Sequence, residues 1–196
     1  MHLFISLTLK SFFLFTPFFA LAMFLAMTED KSAAERRVLA HRVALATAVI
    51  AGTLLFCGQH ILVLFGITVD AFRIGAGILL LLLAISLMNQ KIIATTDGDD
   101  ISVVPLAMPV IIGPAAGGAI LVMSAELHGA LRFVGLFALL TALFVIWLIL
   151  LIGTWIERKL GKRGISILMR LTALILAALS AQMIMTGVCG FLSQKG

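Results

Sequence analysis

Apolar residues follow one another along this chain in runs of about twenty, and most charges fall between the runs or at their ends. Six such runs stand out, at about 3–27, 43–65, 72–88, 101–124, 131–156 and 171–191. A helix needs roughly 20 consecutive apolar residues to cross the hydrocarbon of a bilayer, so each run predicts a transmembrane helix. The fifth, "FVGLFALLTALFVIWLILLIGTWIE", places Trp155 where an interfacial ring is expected. None of the runs shows the period-two alternation of a membrane barrel. The first contains the A-x-A pattern Ala20, Leu21, Ala22 expected at a signal-peptide cleavage site, but it continues apolar through Met23, Phe24 and Leu25. It is therefore expected to be an uncleaved span.

Composition removes the soluble alternative. Hydrophobic residues are 62% of the chain, charged residues 12%, and the mean hydropathy is +1.21, against about half apolar and a quarter charged in a soluble domain. The net charge of +5 is a topology signal. Lys31, Arg36, Arg37 and Arg42 lie between the first two spans, and Arg158, Lys159, Lys162, Arg163 and Arg170 between the last two. Placing both segments in the cytoplasm with the 89–100 connector puts ten of the fourteen basic residues inside. Both termini are then expected on the non-cytoplasmic side of a cell membrane, the inner membrane in a bacterium. Nucleic acid is not an expected partner, because the basic segments are short and lack interleaved aromatics.

Pro17, near the middle of the first run in "LFTPFFALAM", breaks an otherwise continuous apolar stretch. Sliding the sequence by 97 residues places Pro17 on Pro114, Glu29 on Glu126 and Arg73 on Arg170. After the Arg pair, Ala76, Leu79, Leu82, Ala84 and Met88 fall on Ala173, Leu176, Leu179, Ala181 and Met185. Two related halves of three spans each must enter the membrane from opposite sides, which makes the repeat inverted. The expected fold is thus all-α, a single transmembrane domain over 1–196: repeat one about 1–92, a connector about 93–100, and repeat two about 101–196. The first and fourth helices are expected to be broken.

Matched breaks in two inverted halves point to a substrate site at the membrane midplane. Candidate binding positions are Thr16, Pro17, Gly113, Pro114, Gly117 and Gly118 at the breaks, with Ser86 and Gln182 as polar groups within the spans. In this reading each proline removes a hydrogen bond from a helix that an alanine would restore. Arg73 and Arg170 open the third span of each half, and are candidate gating residues paired with Asp70 or Glu157.

These segments resemble the MarC family of integral membrane proteins, which is related to LysE-type exporters. The likeness lies in the early proline followed by "FLAMT", in "AFRIGAGILLLLLAISLM", in "ISVVPLAMPVIIGPAAGGAIL", and in "LMRLTALILAALSAQMI". It implies a six-span protein of inverted repeats with a transport role, for small neutral amino acids in some members. The chain departs from the family where many relatives have Asp or Asn before the first proline and Gly-Asn after it. Here Thr16 precedes Pro17, and Phe18, Phe19 and Ala20 follow.

All nine acidic residues lie in loops or at span ends, so no carboxylate is expected at the midplane to carry a proton or a cation. The expected solute is small and neutral or zwitterionic, moved by alternating access between the repeats. The alternative function is a non-transporting structural or regulatory membrane protein. An enzyme is not expected, because His2, His41, His60 and His128 lie at span ends or in loops. Cys57 and Cys189 are isolated, and Asp97, Asp99 and Asp100 lack a calcium-loop pattern; no metal or other cofactor is expected. The expected partners are the lipid bilayer and the solute, with a homo-oligomer left open.

Overall fold

A computed structural model describes residues 2–89 and 112–193. The described residues form seven helices and no strand. The 93–100 connector and most of the first half of the fourth span lie outside the described residues.

The first run is broken at the expected place, but by a different device. Helix α1 (His2–Leu14) stops, and α2 (Pro17–Met27) starts afresh. The N–H of Phe15 donates to the Ser11 carbonyl (3.1 Å) and that of Thr16 to the Phe13 carbonyl (2.9 Å), closing the first helix. A residue before proline is driven out of the right-handed helical region, and Thr16 sits at φ 47, ψ 60 in the left-handed one. Pro17 then occupies the first position of α2, where its fixed φ suits the helix and its missing N–H would have been unpaired anyway. The proline therefore costs no hydrogen bond, and an alanine there has none to restore. Pro114 opens α5 (Pro114–Glu126) in the same way, with Gly113 as the preceding cap.

Helix α3 (Ala33–Leu64) begins ten residues before the apolar run expected from residue 43. Its start is set by a capping box: the Glu35 N–H donates to the Ser32 hydroxyl (3.3 Å), and the Ser32 N–H to Glu35 Oε2 (2.8 Å). Its 32 residues make a rod of about 48 Å, longer than the bilayer's hydrocarbon, so the turns bearing Arg36, Arg37 and Arg42 extend beyond the apolar part. Arg36 folds back onto the carbonyls of Lys31 (3.1 Å) and Glu29 (2.9 Å). Gly66, at φ 64, turns the chain into α4 (Val69–Met88), which Thr68 caps through the Ala71 N–H (3.3 Å).

Helix α6 (Leu131–Leu151) ends five residues earlier than the apolar run suggested. One residue later α7 (Gly153–Ser193) begins, and it bends at Gly161, whose φ 66, ψ 173 only glycine adopts without strain. Trp155 thus belongs to α7, where it is 58% exposed. Among the described residues, five helical stretches are long and apolar enough to cross a membrane: His2–Met27 across its break, α3, α4, α6 and α7. Alone, α5 with 13 residues is about 20 Å long, too short to span.

Between helices in lipid there is no hydrophobic driving force, so close contact of small residues must hold them. Helix α4 packs most extensively on α7. A Cβ added to Gly77 would lie 2.6 Å from Ile184, and the Ser180 hydroxyl donates to the Gly77 carbonyl at 2.7 Å. Gly118 of α5 similarly meets Ala76 of α4. Phe15, Leu21, Phe24, Leu55, Leu80, Ile120, Leu139, Ile146 and Leu176 fill the interior. Leu82, Phe137, Phe144 and Leu174 face outward, as lipid-facing side chains do.

Candidate functional site

The packing leaves a cavity of about 160 Å³ between α1, α4, α5 and α7. Its deep end is apolar, at Leu14 and Leu80, and its other end carries Lys10, Arg73, Glu126 and Thr186. The polar end lies where the start of α4 meets the ends of α5 and α7. In the half of the first span beyond the break, Phe19, Ala20, Leu21, Met23, Phe24 and Leu25 of α2 are all buried.

Arg73 is the hinge of the polar end. One guanidinium nitrogen meets Asp70 Oδ1 at 2.6 Å, one turn back on α4; the other meets Glu126 Oε1 at 2.6 Å, at the end of α5. Residues 53 apart in sequence, from the two halves of the chain, are thereby joined. Asp70 is 8% exposed, and its burial depends on α7. A Cβ added to Gly190 would lie 2.6 Å from the Asp70 carboxylate, and one added to Gly187 would lie 2.7 Å from the Asp70 carbonyl. Glycine at these positions lets α7 close over the ion pair. The neighbouring loop is held by Arg132, which donates to the Leu127 carbonyl (2.8 Å) and to the Gln59 side chain.

Of the residues chosen from sequence, Arg73 and Gln182 line this cavity. Thr16 and Pro17 are buried next to its deep end but not on its wall. Pro114, Gly117 and Gly118 line a separate, open apolar groove of about 620 Å³ with Leu54, Phe72 and Leu79. Gly113 and Ser86 are half-buried and line neither space. Arg170 is exposed on α7, and among the described residues no ion pair joins it to Glu157. Other span hydroxyls satisfy their own helices: Thr141 donates to the Phe137 carbonyl (2.7 Å) and Thr172 to that of Leu168 (2.9 Å).

Sequence reasoning did not single out Lys10, Ser11, Glu126 or Thr186 as wall residues. For Lys10 a signal existed, since it is the only Lys, Arg, Asp or Glu before Glu29. A lone charge within an apolar run marks a cavity or a partner more often than lipid. For Glu126 there was only its match to Glu29 across the repeat. Among the described residues no group of three or more His, Cys, Asp or Glu side chains gathers to hold a metal ion.

A family model described as "MarC family integral membrane protein" matches residues 1–192. The UPF0056 membrane protein YhcE of Escherichia coli (strain K12) is 35% identical over 148 residues, which cover 69% of this chain and 68% of that protein. A UPF0056 membrane protein of Methanocaldococcus jannaschii is 37% identical over 145 residues, covering 69% of this chain and 71% of the relative. One from Aquifex aeolicus (strain VF5) is 33% identical over 150 residues, covering 71% and 67%. No solved structure matches. With nearly its whole length matched and relatives at this level of identity in bacteria and archaea, the chain belongs to the MarC family of integral membrane proteins.

Proposed function

We propose that the protein is a multi-pass transporter of a small zwitterionic solute, an amino acid of about six non-hydrogen atoms, working by alternating access between two inverted three-span repeats. The cavity between α1, α4, α5 and α7 is the observation that carries this reading, because both halves of the chain build it. An engineered cavity of about 150 Å³ accommodates benzene, so about 160 Å³ suits a solute of alanine's size. The wall presents both signs of charge together with Ser11, Gln182 and Thr186, which fits a solute bearing both signs.

Helix contacts support the repeat. Exchanging the halves at the 97-residue register maps α4 onto α7 and α3 onto α6, and both of these pairs touch. It maps the α3–α5 and α4–α5 contacts onto α6–α2 and α7–α2, which also occur. The breaks at Thr16–Pro17 and Gly113–Pro114 use the same proline-first restart. Thr16 and Pro17 thus serve the site by ending and restarting a helix beside it, and Gly113 and Pro114 by starting one, while Gln182 faces the solute and Arg73 holds the wall in place. Arg73 with Glu126 is the gate tie on the face that carries the start of α1 and the end of α7. Arg170 and Glu29 are the counterparts of Arg73 and Glu126 at the 97-residue register, and no ion pair joins them among the described residues.

The test is counterflow of labelled glycine, alanine, serine, leucine and glutamate in proteoliposomes holding the full chain. Alanine-sized amino acids should exchange, and leucine and glutamate should not. Absence of exchange for every one of them, from protein that stays monodisperse and helical, would leave the structural or regulatory reading in its place.

A further inference from the structure

The charges around the cavity are unequally satisfied. Arg73 is answered twice, by Asp70 and by Glu126 at 2.6 Å each. Lys10 also lines the cavity, and it has no ion-pair or hydrogen-bond partner among the described residues. It stands eight residues into α1 from His2, about 12 Å along the helix. Glu126 uses Oε1 for Arg73, its side chain is 47% exposed, and Oε2 has no partner among the described residues. Lys10, Arg73, Asp70 and Glu126 sum to zero charge. A solute of one sign would leave this set of charges unbalanced beside the apolar wall of Leu14 and Leu80. A zwitterion adds nothing to the sum.

We infer that Lys10 and Glu126 hold opposite ends of the solute: the Lys10 ammonium donates to its carboxylate, and the Glu126 carboxylate accepts from its ammonium. Arg73 does not serve as the carboxylate anchor, because two carboxylates already occupy its fork. It is a positioning residue that fixes Glu126. Leu14, Leu80 and Met183 bound the remaining space, leaving room for a short apolar or hydroxyl side chain. The inference rests on the transport reading of the same cavity and adds to it which residues read the two ends of the solute.

The test is equilibrium binding to the purified full-length protein of alanine, of alaninamide, which lacks the carboxylate, and of propionate, which lacks the ammonium. Wild type should prefer alanine to both. Lys10→Gln should weaken alanine binding about ten- to a hundredfold, the span expected for losing a hydrogen bond to a charged group, and erase its preference over alaninamide. Lys10→Arg should keep that preference, and Glu126→Gln should erase the preference over propionate. If Lys10→Gln binds alanine with wild-type affinity and selectivity, Lys10 snorkels along α1 to the headgroups; the two-ended clamp is then wrong while transport stands. If wild type binds none of the three probes, the transport reading falls and takes the clamp with it. Should Lys10→Gln fail to fold, Lys10→Arg and Glu126→Gln still decide, because selectivity unchanged in Glu126→Gln overturns the inference.

Discussion

At the scale of single residues, the break in the first span rests on Thr16 rather than on Pro17. A β-branched residue in the left-handed region is strained, by about 1–3 kcal/mol, and Thr16 at φ 47 is the only non-glycine with positive φ among the described residues. Asn and Gly visit that region more easily. Thr16→Gly or Thr16→Asn is therefore expected to raise thermal stability in detergent by about 1 kcal/mol, whereas Pro17→Ala should change it little. A large gain for Pro17→Ala would mean that the helix runs through the break. Sequence reasoning located this break but assigned its cause to a missing proline hydrogen bond. Which residue absorbs the distortion depends on backbone angles, and those are settled only once the helices on both sides have stopped and started.

Among the elements, the α4–α7 contact sets the site. Gly187 and Gly190 bring α7 against Asp70 closely enough to bury the carboxylate that holds Arg73. Gly190→Ala is expected to destabilise the protein by about 1–3 kcal/mol, the usual cost of overpacking. Under the proposed function it should also weaken binding of alanine, because Arg73 and Glu126 shift together. Unfolding in detergent and a binding titration, measured on the same variant, check both effects. A control at Gly75, where an added Cβ meets nothing within 4 Å, should show neither. The helices themselves were largely legible in the apolar runs. Their ends were less so, because a capping box starts α3 among charged residues, and a glycine bend lets α7 begin before its apolar run. Local hydrogen bonding and φ decided those boundaries, not hydropathy.

For the whole molecule, the proposed inverted repeat requires both termini on one side of the membrane. Basic residues gather in the start of α3 and around the Gly161 bend of α7, so both segments are expected in the cytoplasm and both termini outside. Reporters fused to either end should be active only on the non-cytoplasmic side; a cytoplasmic signal from either would remove the inverted arrangement of the halves. The amino-acid sequence by itself determined that the chain lives in a membrane, roughly where its helices run, and where the first is broken. Those features are written in hydropathy and proline, both properties of local segments. Only the tertiary structure decided that Arg73 meets Glu126 rather than Asp70 alone. It also decided that Lys10 lines the same cavity as Gln182, and that Pro114, Gly117 and Gly118 line a different groove. The reason is geometric: which face of a helix meets a cavity and which meets lipid follows from how closely its neighbours pack. In a chain where both faces are apolar, hydropathy does not distinguish them.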